Sequence, residues 1–204
     1  MALGKQAKIL SPAQIRTTLQ FLQTTRNPER DAVIFLLSVK SALRAKEVAE
    51  ITWAMITDPE GKLADAIQLP NNASKGRNGG RTIPLNRDLK SALVVFKDLA
   101  ESKRADAGFP FDLASNVISS ERGSKMSPNS IAHWFKRLYS SLGFDGCSSH
   151  SGRRSAITNW GRQVSRVGGS LRDVQALAGH SSLAMTQLYI EQNSDAQKKL
   201  VDLG

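Results

Sequence analysis

Apolar residues recur at helical spacing along most of the chain, and each such stretch follows a residue that favours the start of a helix. The first follows Ser11, where a capping serine, a proline and a glutamine precede Ile15 and further apolar residues at helical intervals. The second begins at Asn27 and is apolar on most sides between Ala32 and Leu37. This pattern predicts a buried central helix, because a helix that meets solvent keeps a polar face.

The next helices are predicted from the same signals. Asn86 can cap a long amphipathic helix that continues to about Lys103. Ser127 and the proline after it open another helix, which Gly143 ends. Helical spacing therefore accounts for much of the middle of the chain.

The last part of the chain predicts two short helices joined by a tight turn. Ser170 can cap the first helix, which Gly179 ends, and either of the two serines after His180 can cap a second helix through Tyr189. A further amphipathic helix is expected from Ser194 to Leu203. Such a tail packs either on its own domain or on a neighbouring molecule.

Three short segments have the composition of β-strands, namely 51–56, 66–69 and 81–85. A turn at residues 58–61 separates the first two, and a glycine-rich hairpin at residues 71–80 separates the second from the third. The chain is therefore expected to have an α+β fold that is mainly helical, with one small three-stranded antiparallel sheet.

The charge of the chain points to a polyanionic partner. The 204 residues include 28 lysines and arginines against 18 acidic residues, a net charge of +10. This excess favours nucleic acid as a partner, with general solubility as the alternative explanation. Between residues 72 and 90 the only acid is Asp88, which makes the imbalance local. The basic residues of this segment are Lys75, Arg77, Arg81, Arg87 and Lys90.

The cysteine count and the N-terminal sequence restrict the compartment. A single cysteine, Cys147, excludes a disulfide within the chain, and the histidines do not combine with it in a zinc-binding spacing. The N-terminus lacks the apolar core of a signal peptide, and the longest strongly apolar run, Ala32 to Leu37, is too short to cross a membrane. We therefore expect a cytoplasmic protein without a membrane partner. With the nucleic-acid partner that the charge favours, we also expect it to associate with the nucleoid.

Two arginines stand beside residues that can orient them. Arg44 has Glu47 three positions later, which is commonly a surface salt bridge but can also turn an arginine toward a phosphate in a cleft. His150 and Arg153 form an H-x-x-R pattern that, on a helix, places both side chains within reach of one anion. For that pattern, a capping histidine beside a solvated arginine is the alternative.

The remaining candidates fit one kind of chemistry. Tyr189 follows His180 by nine positions, which alone is weak because a tyrosine that closes an amphipathic helix usually packs. When a side-chain hydroxyl attacks a phosphodiester, arginine and histidine donors stabilise the charge on the phosphate oxygens, and Lys75 can protonate the leaving oxygen. An adjacent imidazole and nearby guanidinium charge lower the cost of deprotonating the tyrosine.

The order of these motifs resembles the catalytic domain of the tyrosine recombinases, the phage integrase family. The resemblance covers about Leu10 to Tyr189. It rests on Ala42-Leu43-Arg44-Ala45-Lys46-Glu47-Val48, on Lys75 with Arg81-Thr82-Ile83-Pro84-Leu85, on His150-Ser151-Gly152-Arg153, on Leu177-Ala178-Gly179-His180-Ser181-Ser182, and on Thr186-Gln187-Leu188-Tyr189. It implies the fold of that catalytic domain and a site-specific recombinase or integrase activity on double-stranded DNA.

The resemblance also assigns a role to each candidate. Tyr189 is expected to form a 3'-phosphotyrosyl link, with neither ATP, metal nor any other cofactor required. The remaining roles it implies are a phosphate clamp for Arg44 and Arg153, a hydrogen-bond donor for His180, a general acid for Lys75 and assistance in proton transfer for His150. Separately from the resemblance, we expect the basic residues Arg77, Arg81 and Arg154 to bind DNA. Arg77 is also an alternative to Lys75 in the hairpin, although its pKa makes it a poor proton donor.

The resemblance leaves the domain content and the assembly as expectations. Residues 1–204 are expected to form a single catalytic domain without the N-terminal helical domain that closes a clamp around DNA in many members. We expect a monomer without DNA and a tetramer on DNA through exchange of the C-terminal tail. A DNA-binding regulator that keeps the fold without turnover, and a type IB topoisomerase, are the alternative functions.

Overall fold

The computed structural model describes residues 6–73, 80–121, 125–189 and 201–202. Within these ranges the chain forms eight α-helices, two short 3-10 helices and two strands. The α-helices are α1 (Pro12–Leu22), α2 (Pro28–Ser41), α3 (Ala45–Glu50), α4 (Arg87–Asp106), α5 (Pro128–Ser141), α6 (Ser151–Gln163), α7 (Leu171–Ala178) and α8 (Leu183–Gln187). The strands are β1 (Ala66–Leu69) and β2 (Arg81–Pro84), and the 3-10 helices span Trp53–Met55 and Val164–Val167.

Helix α2 is the central helix of the fold, as its apolar sequence predicts. Val33, Ile34, Phe35 and Leu37 are each 0% exposed, and the helix contacts both α4 and α6. Full burial of one such side chain contributes about 1.5–3 kcal/mol to folding. The helices on either side of α2 are therefore fixed to one rigid element.

The end of α2 turns the chain sharply toward α3. Ala42 has a φ of 53°, a left-handed conformation that residues other than glycine seldom adopt, and the N–H of Leu43 donates to the carbonyl of Leu37. Ala42 is fully buried in a small apolar cluster that includes Ile157 of α6 and Val174 of α7. The turn therefore brings Arg44, at the N-cap of α3, next to the helices of the C-terminal part.

The sheet has two strands, not the predicted three. β1 and β2 pair antiparallel, with Ala66 opposite Pro84 and Leu69 opposite Arg81. The predicted first strand, residues 51–56, instead forms a 3-10 turn and a single bridge from Thr52 to the loop at Asn116. Ile51, Trp53 and Ile56 are buried, while Ala54 is exposed. The backbone of this segment forms hydrogen bonds locally and to that loop, so no strand pairing is required.

Three predicted helix starts are confirmed by their caps, whereas two predicted ends differ: α4 continues to Asp106 and α8 ends at Gln187, before Tyr189. The Oγ atoms of Ser11 and Ser127 and the Oδ1 atom of Asn86 accept backbone N–H groups at the starts of α1, α5 and α4. No described helix is both long and apolar enough to span a membrane. The predicted tail helix from Ser194 to Leu203 lies outside the described residues except for 201–202.

Candidate active site

A close contact between α2 and α6 positions Arg153, one of the two arginines predicted to bind the phosphate. At Gly152, in the first turn of α6, a Cβ atom would lie only 2.3 Å from Oγ of Ser38 in α2. The absence of a side chain lets the two helices approach closely. Arg153, the next residue, therefore projects from α6 beside the end of α2.

Arg153 is a buried cation held by two backbone carbonyls. Its side chain is almost completely enclosed, with Nη1 donating to Ala42 O at 2.6 Å and Nη2 donating to Ala178 O at 2.7 Å. Burial, together with the charge of nearby Arg44, lowers the pKa of Arg153 to about 10, so the guanidinium stays protonated at neutral pH. A guanidinium has five N–H donors, and these two bonds fix its plane while three donors remain for a ligand.

Glu47 is the anion that organises the other two arginines. Its side chain is 1% exposed, and its Oε1 atom accepts Nη1 of both Arg44 and Arg81 at 2.9 Å. Its Oε2 atom accepts the backbone N–H of Arg44 at 2.8 Å and Nη2 of Arg81 at 3.1 Å. Arg81 also donates from Nε to Leu177 O at 3.0 Å, which ties β2 to α7.

The charge state of Glu47 follows from these contacts. Burial by itself raises the pKa of this carboxyl group, because the anion loses hydration. The hydrogen bond and charge of Arg81, followed by those of Arg44, outweigh burial and hold the pKa at about 2. Glu47 is therefore ionised at neutral pH, and its i,i+3 partner Arg44 belongs to a partly buried network rather than an isolated surface pair.

His180 lies where α7 ends and its ring stacks on the candidate nucleophile. Gly179, with a φ of 62°, ends α7 in the left-handed conformation, and His180 follows directly. The imidazole is stacked on the Tyr189 ring with centroids 5.0 Å apart, and its Nδ1 atom lies 3.0 Å from Thr186 Oγ1. Burial and the charges of Arg153, Arg44 and Arg81 lower the pKa of His180 to about 4, so the ring is neutral at neutral pH.

Tyr189 faces a cavity of about 500 Å³ that Arg153 and His150 also line. Its backbone carbonyl accepts the hydroxyl of Thr158 in α6 at 2.7 Å, so α6 holds the residue in place. The apolar part of the side chain packs against the cluster around Ala42. The structure therefore brings His150, Arg153, His180 and Tyr189 together, with Arg44 close enough to Arg153 for their charges to interact.

The other tyrosine has no access to such a site. Tyr139 is 1% exposed and stacks on Phe135 and Phe144 in the main core. Burial, and secondarily the Cys147 thiol, raise the pKa of its hydroxyl far above the usual range. Tyr139 therefore cannot serve as the attacking group.

The predicted residues differ in how the structure places them. His150 is the exposed N-cap of α6, so only one member of its H-x-x-R pair is buried. Arg154 donates to the carbonyl of Ala7 at 3.0 Å and lines the same cavity as Tyr189. The side chain of Arg81 is 5% exposed and bonds inside the protein, which does not fit the predicted DNA contact. Lys75 and Arg77 lie outside the described residues.

Two threonines of the site were missed from the sequence. Thr158 holds the backbone of Tyr189, and Thr186 contacts the ring of His180. The sequence includes Thr186 in the Thr186-Gln187-Leu188-Tyr189 match but assigns it no role, and Thr158 has no sequence signal, because its partner is 31 residues away. Within the described ranges, no group of three or more His, Cys, Asp or Glu side chains could hold a metal ion.

The lowered pKa values of His180 and Glu47 predict that the protein loses stability as the pH is lowered. The unfolded chain protonates this histidine near pH 6.5, whereas folded His180 resists protonation down to about pH 4, so the free energy of unfolding should fall across that interval. Glu47 adds a further fall between about pH 4.5 and pH 2. Urea unfolding at a series of pH values measures both. A His180→Asn variant should lack the upper decline, and an unchanged decline would contradict the assignment.

Replacing Gly179 by alanine should destabilise the fold through Arg81. The left-handed φ costs about 1 kcal/mol for a residue with a Cβ, and that atom would lie 2.8 Å from Nη1 of Arg81, which is bonded to Glu47. We expect a total loss of about 2–4 kcal/mol, measured by urea unfolding. Gly108→Ala is the matched control, because its φ is 77° with no atom within 4 Å. Equal losses in the two variants would rule out the Arg81 contact as the cause.

Known proteins resemble this chain over nearly its whole length. The model of the phage integrase family matches residues 8–196. The tyrosine recombinase XerC of Bradyrhizobium diazoefficiens is 30% identical over 162 residues, which cover 78% of this chain and 45% of that protein. The tyrosine recombinase XerC of Herpetosiphon aurantiacus is 26% identical over 194 residues, which cover 94% of this chain and 58% of that protein. The chain thus spans about half the length of the curated relatives it matches.

Solved structures share the fold at lower sequence identity. The crystal structure of XerA recombinase has a TM-score of 0.71 at 20% identity, covering 96% of this chain and 64% of that one. The Tn1549 transposon integrase in complex with circular intermediate DNA has a TM-score of 0.69 at 21% identity, and the match covers 98% of this chain and 67% of the integrase chain. These similarities confirm the predicted fold class.

Proposed function

This chain belongs to the phage integrase family, and from that premise we propose that it cuts and rejoins double-stranded DNA as a site-specific tyrosine recombinase. The observation that carries the proposal is the cavity shared by Arg153, His150 and Tyr189, with neutral His180 stacked on the tyrosine. A buried cation beside a hydroxyl suits attack on an anionic phosphodiester, because it stabilises the charge that develops on phosphate oxygens.

In the proposed reaction, Tyr189 Oη forms a bond to phosphorus while the bond from phosphorus to the 5' oxygen breaks. The phenolic proton leaves with the help of His150, and Lys75 delivers a proton to the 5' oxygen. The products are a 3'-phosphotyrosyl link and a free 5' hydroxyl. Attack by the 5' hydroxyl of a partner strand reverses these steps and releases Tyr189. Each step exchanges one phosphoester for another, so no ATP is consumed.

The proposed clamp on the phosphate consists of Arg44 and Arg153, with His180 as a further donor. Arg153 is fixed by its hydrogen bonds to two backbone carbonyls, and Arg44 is fixed by its ion pair with Glu47. Such preorganised donors require no reorientation as charge develops on the phosphate, which is the main source of their catalytic effect. Arg81, through Glu47, is a positioning residue in this scheme. Lys75 stays a prediction that rests on the family resemblance.

DNA as the partner is supported by the charge of +10, and the related Tn1549 integrase is known in complex with DNA. Binding through lysine and arginine should weaken steeply as salt is raised. DNA contacts by Arg77 and Arg154 remain proposals. The tetramer formed on DNA by tail exchange also remains a prediction, since the tail residues 190–200 and 203–204 lie outside the described ranges. The single-domain organisation likewise remains a prediction.

The proposal is tested by capturing covalent DNA from cells. Cells that express the chain are lysed in denaturant, the protein is washed stringently, and any attached DNA is sequenced. A recombinase should yield DNA ends that share one recognition sequence. Adducts at scattered sites without exchange between paired sites would indicate a topoisomerase. DNA that binds the native protein but never survives denaturation would indicate a regulator and overturn the proposal.

A further inference from the structure

A buried hydroxyl lies against the ring of His180. Oγ1 of Thr186 is 3.0 Å from Nδ1 of His180, and the two residues are 0% and 6% exposed. Thr186 belongs to α8, one helical turn before Tyr189, and the His180 ring stacks on Tyr189. One short segment thus carries both the candidate nucleophile and the hydroxyl that contacts the imidazole.

The direction of this hydrogen bond follows from what else the hydroxyl can reach. A threonine in a helix often donates to the carbonyl four residues earlier, as Thr18 does to Gln14 O at 2.8 Å in α1. Thr186 makes no such bond, and among the described residues its hydroxyl has Nδ1 of His180 as its one hydrogen-bond partner. A buried O–H without an acceptor is costly. The hydroxyl therefore donates, and Nδ1 accepts.

This direction decides which nitrogen of the ring carries the proton. The pKa of His180 lies near 4, so the ring is neutral at pH 7 and has one N–H. With Nδ1 as the acceptor, the proton must be on Nε2. The Nε2 atom is buried and has no hydrogen-bond partner within the part of the chain that the structure describes. A buried N–H donor without a protein partner is available to an oxygen atom of a ligand.

We propose that Thr186 is a positioning residue that holds His180 in the tautomer protonated on Nε2, ready to donate to a non-bridging phosphate oxygen. The catalytic part of this inference rests on the proposed recombinase function, whereas the tautomer itself does not. In the opposite tautomer, Nε2 would be an acceptor, and the ring could not donate to the phosphate without first taking up a proton.

The tautomer is tested directly by ¹⁵N NMR of the histidine rings at pH 7. The chain has only three histidines, so His133→Gln and His150→Gln variants assign the signals. We expect His180 to carry its proton on Nε2 in the parent chain and in Thr186→Ser. In Thr186→Val, which has the same shape without the hydroxyl, a substantial Nδ1–H population should appear. A parent spectrum with the proton on Nδ1, or a Thr186→Val spectrum unchanged from the parent, overturns the proposal.

A kinetic measurement tests the catalytic part. Loss of one preorganised donor in a site of this kind costs about 10²–10³ in rate, so partial loss of the correct tautomer in Thr186→Val should slow covalent adduct formation by about tenfold or more. DNA affinity should not change, and Thr186→Ser should restore the rate. Thr18→Val, which removes a buried hydroxyl from α1, should leave the rate unchanged. A Thr186→Val rate equal to the parent's contradicts the inference.

The two experiments separate this inference from the proposed function. If the parent chain forms no adduct with any DNA, the recombinase proposal fails while the NMR spectrum still decides the tautomer. If the adduct forms but the proton is on Nδ1, the positioning role of Thr186 fails and the recombinase proposal stands.

Discussion

A Tyr189→Phe variant should bind double-stranded DNA as tightly as the parent chain and should form no covalent adduct with it. The substitution removes one hydroxyl group and keeps the aromatic ring, which packs against the Ala42 cluster and stacks on His180. The hydrogen bond from the Thr158 hydroxyl to the backbone carbonyl of residue 189 does not involve the tyrosine side chain and is retained. The fold and the DNA surface should therefore be unchanged, while the attacking atom is absent.

The expected loss is large because the adduct requires this atom. Removing the nucleophile of an enzyme that works through a covalent intermediate typically lowers its rate by about four orders of magnitude or more. The measurement is denaturing electrophoresis of protein with labelled DNA, beside a binding titration at several salt concentrations.

Tyr139→Phe is the matched control for this experiment. The Tyr139 hydroxyl is buried and has no hydrogen-bond partner among the described residues, so its removal should preserve both folding and adduct formation. An adduct of normal yield in Tyr189→Phe would exclude Tyr189 as the nucleophile. Reduced DNA binding in the same variant would show that the hydroxyl contributes to affinity, contrary to the proposed role.

Replacing Glu47 by glutamine should cause the largest loss of stability among single conservative changes in the site. Glu47 is 1% exposed and accepts hydrogen bonds from two arginine side chains, one of them only 5% exposed. A glutamine has the same shape, but its amide offers one acceptor oxygen and would turn an N–H₂ group toward an arginine. Removing one partner of a buried ion pair costs about 3–5 kcal/mol, because the remaining charge is left without compensation.

Urea unfolding at pH 7 measures this loss, with Glu50→Gln as the control. Glu50 pairs with Lys125 at 2.6 Å near the surface, where the two side chains are 32% and 39% exposed. Such a pair contributes about 0–1 kcal/mol. Similar small losses in both variants would contradict the organising role of Glu47. We also expect Glu47→Gln to slow adduct formation, because Arg44 loses the carboxylate that orients it.

The helices could be predicted because their signals are local. Capping residues such as Ser11 and Asn86, and a glycine that ends a helix such as Gly179, act within about one turn of themselves. The apolar run of α2 likewise predicted its burial, because a helix without a polar face has to lie inside. The sequence also determined the order of the candidate residues along the chain, which is enough to recognise the family.

Tertiary packing decided the features whose partners are distant in sequence. Segment 51–56 has the composition of a strand, but hydrogen bonds to the loop near Asn116 replaced strand pairing. Arg81 has the charge of a DNA contact, yet the carboxylate of Glu47, 34 positions earlier, and a carbonyl 96 positions later bury it. Arg153 depends on a carbonyl 111 positions away. A local sequence pattern specifies the hydrophobic period of a helix and its capping residues. The burial of a side chain and its hydrogen-bond partners depend on which helices pack together, and only the folded chain determines that packing.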